Sequence, residues 1–268
     1  MEVRWCSIMG LPANIIGIMG KSIYDADAQA FITAAGITNP TQKSAITVFV
    51  LALKSASIWT KFVAIYPMVG GTATTHKYNL KNPLDTNAAF RLSFLGGWTH
   101  SSTGALPNGT NGYADTFLNN NVLGQNNNHI SAYSRTDSNI SSTLIASWNG
   151  LFGTSIYPRQ SINTFNFNNN SPSQSNVSNT DSRGFFLNTR RNATQILSQK
   201  NTTQTITSNA SSTLINTSFK ISRTGDANAE YSNREIALIS IGDGLTDTEA
   251  SNFYTAVQNM QISLSRQV

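Results

Sequence analysis

The chain has 268 residues and one cysteine, enough length to bury a single sizeable core and too few thiols for an internal disulfide or a cysteine-rich zinc site. Charged residues are only 12%, and asparagine alone supplies 31 positions, so the surface is built from neutral hydrogen-bonding groups, as on many secreted, cell-surface and virion proteins. The net charge of +5 reflects few acids: Lys and Arg are scattered, Arg190-Arg191 with Arg183 is the one tight cluster, and no nucleic-acid partner is expected.

Residues 1–24 are apolar and rich in Gly and Met. Pro12, Asn14 and the glycines interrupt the run. A signal peptide needs about 7–15 unbroken apolar residues, and a membrane span about 20. The expectation is a docking segment that buries Trp5, Ile8, Met9, Leu11, Ile15, Ile16, Ile18 and Met19 against a partner chain. Cys6, within it, reads as an inert thiol.

Residues 25–60 read as a helical pair. Asp25 is placed to cap the first helix, whose apolar face is Ala28, Phe31, Ile32 and Ala35, with Gly36 at the C-terminal cap. Asn39-Pro40 starts the second, with Gln42 three residues after the cap. Ile46, Phe49, Val50 and Leu53 follow at helical spacing.

From 61 to 245 the period changes to two. Runs at 62–66, 89–94, 112–118, 129–135, 142–148, 162–167, 184–190, 212–222 and 235–242 are bounded by Gly, Asn, Asp, Ser and Pro. Many short strands without interleaved helices predict a mainly β, antiparallel sandwich or barrel. The Asn tracts at 119–121, 126–128 and 168–170 read as loops, because Asn tolerates the left-handed conformation and bonds its own backbone. Thr246 and Glu249 form a capping box that opens a C-terminal helix over 246–264, with Ala250, Phe253, Tyr254 and Val257 as its apolar stripe.

Two segments carry a resemblance: DADAQAFITAAGIT through GGWTHSSTGALPNGTNGYADT over 25–116, and YSNREIALISIGDGLTDTEASNFYTAVQNMQISLSRQV over 231–268. They resemble structural proteins of bacteriophages and prophages of Bacteroidetes-type hosts, whose members carry a concanavalin A-like, laminin-G-like domain. A last strand, a Gly-x-Gly-Leu-Thr turn and a short helix are also how many laminin-G-like jelly rolls end. The resemblance implies a jelly-roll β-sandwich over 61–268. It also implies a fibre, spike or decoration protein on the virion exterior, with other virion proteins as partners and host-surface glycans as the target. Such projecting modules are commonly symmetric, so a homo-oligomer, a trimer in particular, is expected. The alternative is a bacterial cell-surface or secreted glycan-binding module.

The same fold hosts glycoside hydrolases, which need two carboxylates flanking the bond. This chain has no Glu between Glu2 and Glu230, and Glu230 and Glu235, five apart, fall on opposite faces of a strand. No enzyme activity is expected. His76, His100 and His129 lack metal-ligand spacing, and Asp115, Asp137 and Asp181 are too scattered to define a calcium site, so no metal or cofactor is expected. Glycan sites pair a stacking aromatic with amide hydrogen bonds. Trp98, His100, Tyr113, Trp148 and Tyr157 are the candidates, with core packing as the competing role for each.

Overall fold

The computed structural model describes residues 24–225 and 230–268. The docking residues Trp5 through Met19 lie outside the described residues.

Helix α1 (Ala26–Ala34) starts where the Asp25 carboxylate accepts the N–H groups of Asp27 and Ala28. It ends at Gly36, whose φ of +63° turns the chain back so that Ile37 N–H reaches Ile32 O at 3.0 Å. In α2 (Pro40–Ser55) the Asn39 side chain accepts from Gln42 N–H, and Pro40 occupies the first turn. Lys54 ties the far end of α2 to Asp25 and Asp27. A four-residue helix, α3 (Ala73–His76), interrupts the strand region. The C-terminal helix α4 (Asp247–Ser263) has the reciprocal Thr246–Glu249 capping box.

The strands in chain order are β1 (Phe62–Tyr66), β2 (Ser93–Leu95), β3 (Trp98–Ser101), β4 (Gly104–Pro107) and β5 (Tyr113–Asn119). Next come β6 (Asn128–Ser134), β7 (Ile145–Trp148), β8 (Gly153–Tyr157), β9 (Thr164–Asn169) and β10 (Ser175–Ser178). The last are β11 (Gly184–Arg190), β12 (Gln195–Lys200), β13 (Thr203–Ser208), β14 (Ser218–Ile221) and β15 (Ile236–Gly242). They form two antiparallel sheets. The eight-stranded sheet runs β13-β12-β11-β6-β15-β4-β3, with β1 also paired to β15. The seven-stranded sheet runs β10-β9-β8-β7-β14-β5-β2. The architecture is a β-sandwich whose chain passes repeatedly between the sheets, as in a jelly roll.

Two apolar layers hold it together. Between the sheets, Ile130, Phe186, Ile196, Ile239 and Ile241 meet Ile145, Ile156, Phe165, Phe167 and Phe219. On the other side of the eight-stranded sheet, Tyr133, Phe185, Leu187 and Leu238 meet Phe31, Phe49, Val50, Leu53, Phe253 and Val257 of the three long helices. The alternation Phe185, Phe186, Leu187 sends side chains to opposite layers, so β11 is buried along its whole length.

The runs at 62–66 and 184–190 coincide with β1 and β11. The run at 89–94 does not form a strand along its length: Phe90 sits at φ +59° and pairing starts only at Ser93. The Asn tracts are corrected further. Asn168 and Asn169 belong to β9, Asn128 opens β6, and these three with Asn120 and Asn170 are fully buried. Part of their amide groups is bonded there: Asn120 Nδ2 donates to Asn170 Oδ1 at 2.8 Å, and Asn169 Nδ2 to Asn188 Oδ1 at 3.3 Å, while Oδ1 of Asn120, Asn128 and Asn169 has no partner among the described residues. Asn thus serves here as an interior residue as well as a turn former: Asn170 keeps the expected left-handed φ of +49°, and Asn126 and Asn127 stay in the turn before β6.

Candidate functional site

The five aromatic candidates fall into two groups. Trp98 and His100 lie on β3, with rings stacked at 25° and centroids 6.0 Å apart. Phe94 meets both edge-on. The Trp98 indole N–H donates to the carbonyls of Leu95 and Tyr113, each at 3.1 Å, which fixes the ring and brings Tyr113 to the same corner. Both rings are half-buried.

Trp148 and Tyr157 lie on adjacent strands of the seven-stranded sheet. Ile156 points into the inter-sheet core, so Tyr157 points to the outer face. That face is crossed by the arms of a hairpin in which Ser232 N–H bonds Ser222 O and Arg223 bridges Tyr231. The Tyr157 hydroxyl donates to Glu230 Oε2 at 3.0 Å and lies 3.4 Å from Thr224 Oγ1. Tyr157 is buried, so its ring packs and offers no open stacking face. Gly225 lies against Trp148: a Cβ there would sit 2.4 Å from the Trp148 carbonyl oxygen. The Arg223 guanidinium lies 4.8 Å from the Tyr113 ring centroid and 5.8 Å from that of Tyr231. The hairpin thus links Tyr113, Tyr157 and Trp148. Of these, Tyr113 and Trp148 remain partly open to solvent. Arg223, Glu230 and Tyr231 escaped the sequence reading because nothing local marks a hairpin that folds across a distant face.

His100 has a further partner. Its Nδ1 lies 2.9 Å from Nδ1 of His76, whose Nε2 accepts Gly71 N–H at 3.2 Å. An accepting Nε2 puts the proton of neutral His76 on Nδ1, so His76 donates to His100. Burial, then His100 and Arg266, push His76 down to about 3, and burial lowers His100. His129 is fully enclosed, bonded to the Asp243 carbonyl and Ser240 Oγ, and burial pushes it down to about 4. His76 and His129 are held neutral in the fold and protonate freely when unfolded, near 6.5. Their stabilisation is therefore complete above pH 6.5 and is lost as pH falls toward those lower values. At pH 5.5 each should cost about 1.4 kcal/mol. Urea midpoints at pH 7.5 and 5.5 check this, since ordinary carboxylates titrate below that window. An unchanged midpoint would mean that the imidazoles are not buried neutral.

The carboxylates are engaged structurally. Glu235 accepts from Arg135 and Thr103, Asp115 pairs with Lys220, and Asp137 pairs with Arg159. The acids with resolved shifts, Asp25, Asp85, Asp137, Asp181 and Glu249, all lie below their ordinary values; lysine, arginine and backbone N–H groups stabilise their charged forms. None of these is raised into the range of a general acid. Among the described residues no three of His, Cys, Asp and Glu come together as a metal site.

No protein-family model and no curated protein sequence matches the chain. Solved structures do match. Domain 4 of AbnA, a GH43 extracellular arabinanase from Geobacillus stearothermophilus, in complex with arabinotriose, aligns with a TM-score of 0.51 at 11% identity, over 72% of this chain and 98% of that domain. The receptor-binding domain of botulinum neurotoxin mosaic serotype C/D aligns with a TM-score of 0.50 at 11% identity, over 73% of this chain and 50% of that one. The chain thus spans about half the length of the toxin domain. At such identity the likeness defines the fold class alone, a β-sandwich.

Proposed function

We propose that this chain is a non-enzymatic structural protein of a bacteriophage particle, a fibre, spike or decoration module. It carries its lectin-like sandwich on the virion exterior for attachment to host-surface glycans. The observation that carries the reading is the sequence resemblance over 25–116 and 231–268. Those segments supply α1, α2 and α4, the helix layer, with β1, β3, β4 and β15 of the eight-stranded sheet and the edge strand β2 of the seven-stranded one. A scaffold resembling those structural proteins thus carries an amide-rich sheet and hairpin. Two further facts support a glycan-facing role. The surface is poor in charge and rich in hydroxyls and amides, which suits polyhydroxylated ligands. Tyr113 and Trp148 stay partly open beside polar side chains. The proposed anchor is residues 1–24, and the proposed assembly is a homo-oligomer, a trimer.

The experiment is mass spectrometry of purified particles, paired with a chain lacking residues 1–22. The full chain should be found in particles in multiple copies. The shortened chain should melt at the same temperature and be missing from particles. Absence of the full chain from particles, with recovery from the bacterial surface or medium, would overturn the virion role. It would favour a bacterial glycan-binding module, a reading in keeping with the arabinanase domain that shares the fold. A shortened chain that melts many degrees lower would place residues 1–22 in the domain's own core.

A further inference from the structure

The two sheets part at one edge of the sandwich. There β10 ends the seven-stranded sheet, and β12 and β13 end the eight-stranded one. Between them lies a cleft of about 240 Å³. That is under the roughly 300–1,000 Å³ of sites for drug-sized ligands and of the order of a single sugar ring. Val177 makes its apolar face, over the fully buried Phe165 and Ser198; Ser178 and Thr205 line it, and Asn179 and Lys200 stand at one end.

Lys200 is the distinctive group. Its ammonium donates to Asn179 Oδ1 and to the Asp181 carbonyl, two acceptors for three hydrogens. Asp137 and Asp181, the carboxylates that act on it through space, are already paired with Arg159 and Arg183. Three cations therefore stand against two carboxylates, and Lys200 is the unmatched charge. Burial in this setting lowers its pKa, an effect that a bound anion would reverse.

We propose that this cleft is a subsite for one carboxylated sugar residue of a glycan. The C–H face of the ring lies on Val177, its hydroxyls meet Ser178 and Thr205, and its carboxylate pairs with Lys200. An apolar face with hydroxyl walls has no use for a simple anion, and a half-buried cation without a carboxylate of its own has no use for a neutral sugar; the two together select the acidic sugar. The inference rests on the glycan-facing half of the function proposed above and is independent of the virion half.

The test is an amide chemical-shift titration of the full chain with sodium glucuronate, glucose and sodium acetate. Glucuronate should shift amides of β10, β12 and β13 and bind at least about tenfold more tightly than either control, the scale of one charge-assisted contact. Lys200→Gln should bring glucuronate down to the level of glucose. Thr203→Trp, at the exposed rim of the cleft, should block it without touching the Lys200 contacts, so the pair remains decisive if Lys200→Gln disturbs the turn at 179–181. Glucuronate binding no tighter than glucose or acetate overturns the subsite. Sugar-induced shifts confined to the neighbourhood of Trp148 and Tyr113 overturn it while leaving the glycan-facing reading in place. No shift with any sugar overturns both.

Discussion

Phe253→Ala is expected to destabilise the fold by about 3–5 kcal/mol, the range for truncating a buried aromatic. Phe253 is fully buried on the sheet-facing side of α4. Its ring centroid lies 4.8 Å from Phe62 on β1, 5.4 Å from Phe185 on β11 and 6.5 Å from Phe49 on α2. The truncation therefore opens a void where two helices and two strands meet, and no single element can shift to fill it without losing its other contacts. Asn252→Ala, on the exposed side of the same helix, removes a surface amide and should stay within about 0.5 kcal/mol. Urea denaturation of the two variants beside the parent chain measures the difference. A Phe253→Ala loss under about 1 kcal/mol would mean that the helix layer adds little to the sandwich.

The parts of this architecture legible in the sequence are those where apolar contrast is strong or a cap is local. Asp25, Asn39-Pro40 and the Thr246–Glu249 box act over three or four residues, and each helix begins where they stand. Phe62–Tyr66 and Gly184–Arg190 are dense in apolar side chains because layers cover both of their faces. The strands outside the runs picked from the sequence are β3, β4, β8, β10, β12 and β13; two of them carry little apolar contrast, β10 reading Ser-Asn-Val-Ser and β13 Thr-Gln-Thr-Ile-Thr-Ser. β10 and β13 end their sheets, where a strand needs few apolar residues, Val177 alone in β10, so the period-two signal fades beside the cleft. The same blindness affected Asn168 to Asn170. Their burial depends on Asn120, Thr154 and Asn188, which approach from elsewhere in the chain, and no local pattern reports such partners. Among the aromatic candidates, residue type alone did not separate Tyr157, closed over by Glu230 and Thr224, from Trp148, which remains partly open.

Arg234→Met should cost about as much as the aromatic truncation, roughly 3–5 kcal/mol, by a different mechanism. The Arg234 side chain is fully buried, and burial pushes its pKa down to about 10, which leaves it charged at neutral pH. It meets carbonyl oxygens in place of a carboxylate: Ser138 at 2.7 Å, Ile140 at 2.8 Å, Arg159 at 2.9 Å and Ser142 at 3.1 Å, with Ser142 Oγ at 2.9 Å. Methionine fills similar space but strands those acceptors in a low-dielectric interior, where each orphaned carbonyl costs about 1–3 kcal/mol before the loop relaxes. Arg234→Lys keeps the charge and loses the planar fork that reaches four carbonyls at once, so it should recover less than half of the loss. The consequence extends to the cleft. The loop that Arg234 holds carries Asp137, whose carboxylate accepts Ser182 N–H at 2.9 Å, and Ser182 Oγ accepts Ser138 N–H at 2.7 Å. Ser182 closes the turn that presents Asn179 and the Asp181 carbonyl to Lys200. Loosening the loop should therefore weaken glucuronate binding as well as lower the urea midpoint. Full recovery of the midpoint in Arg234→Lys would show that charge alone, and not the fork, organises the loop; unchanged glucuronate binding in a destabilised Arg234→Met would break the link from Arg234 to the cleft.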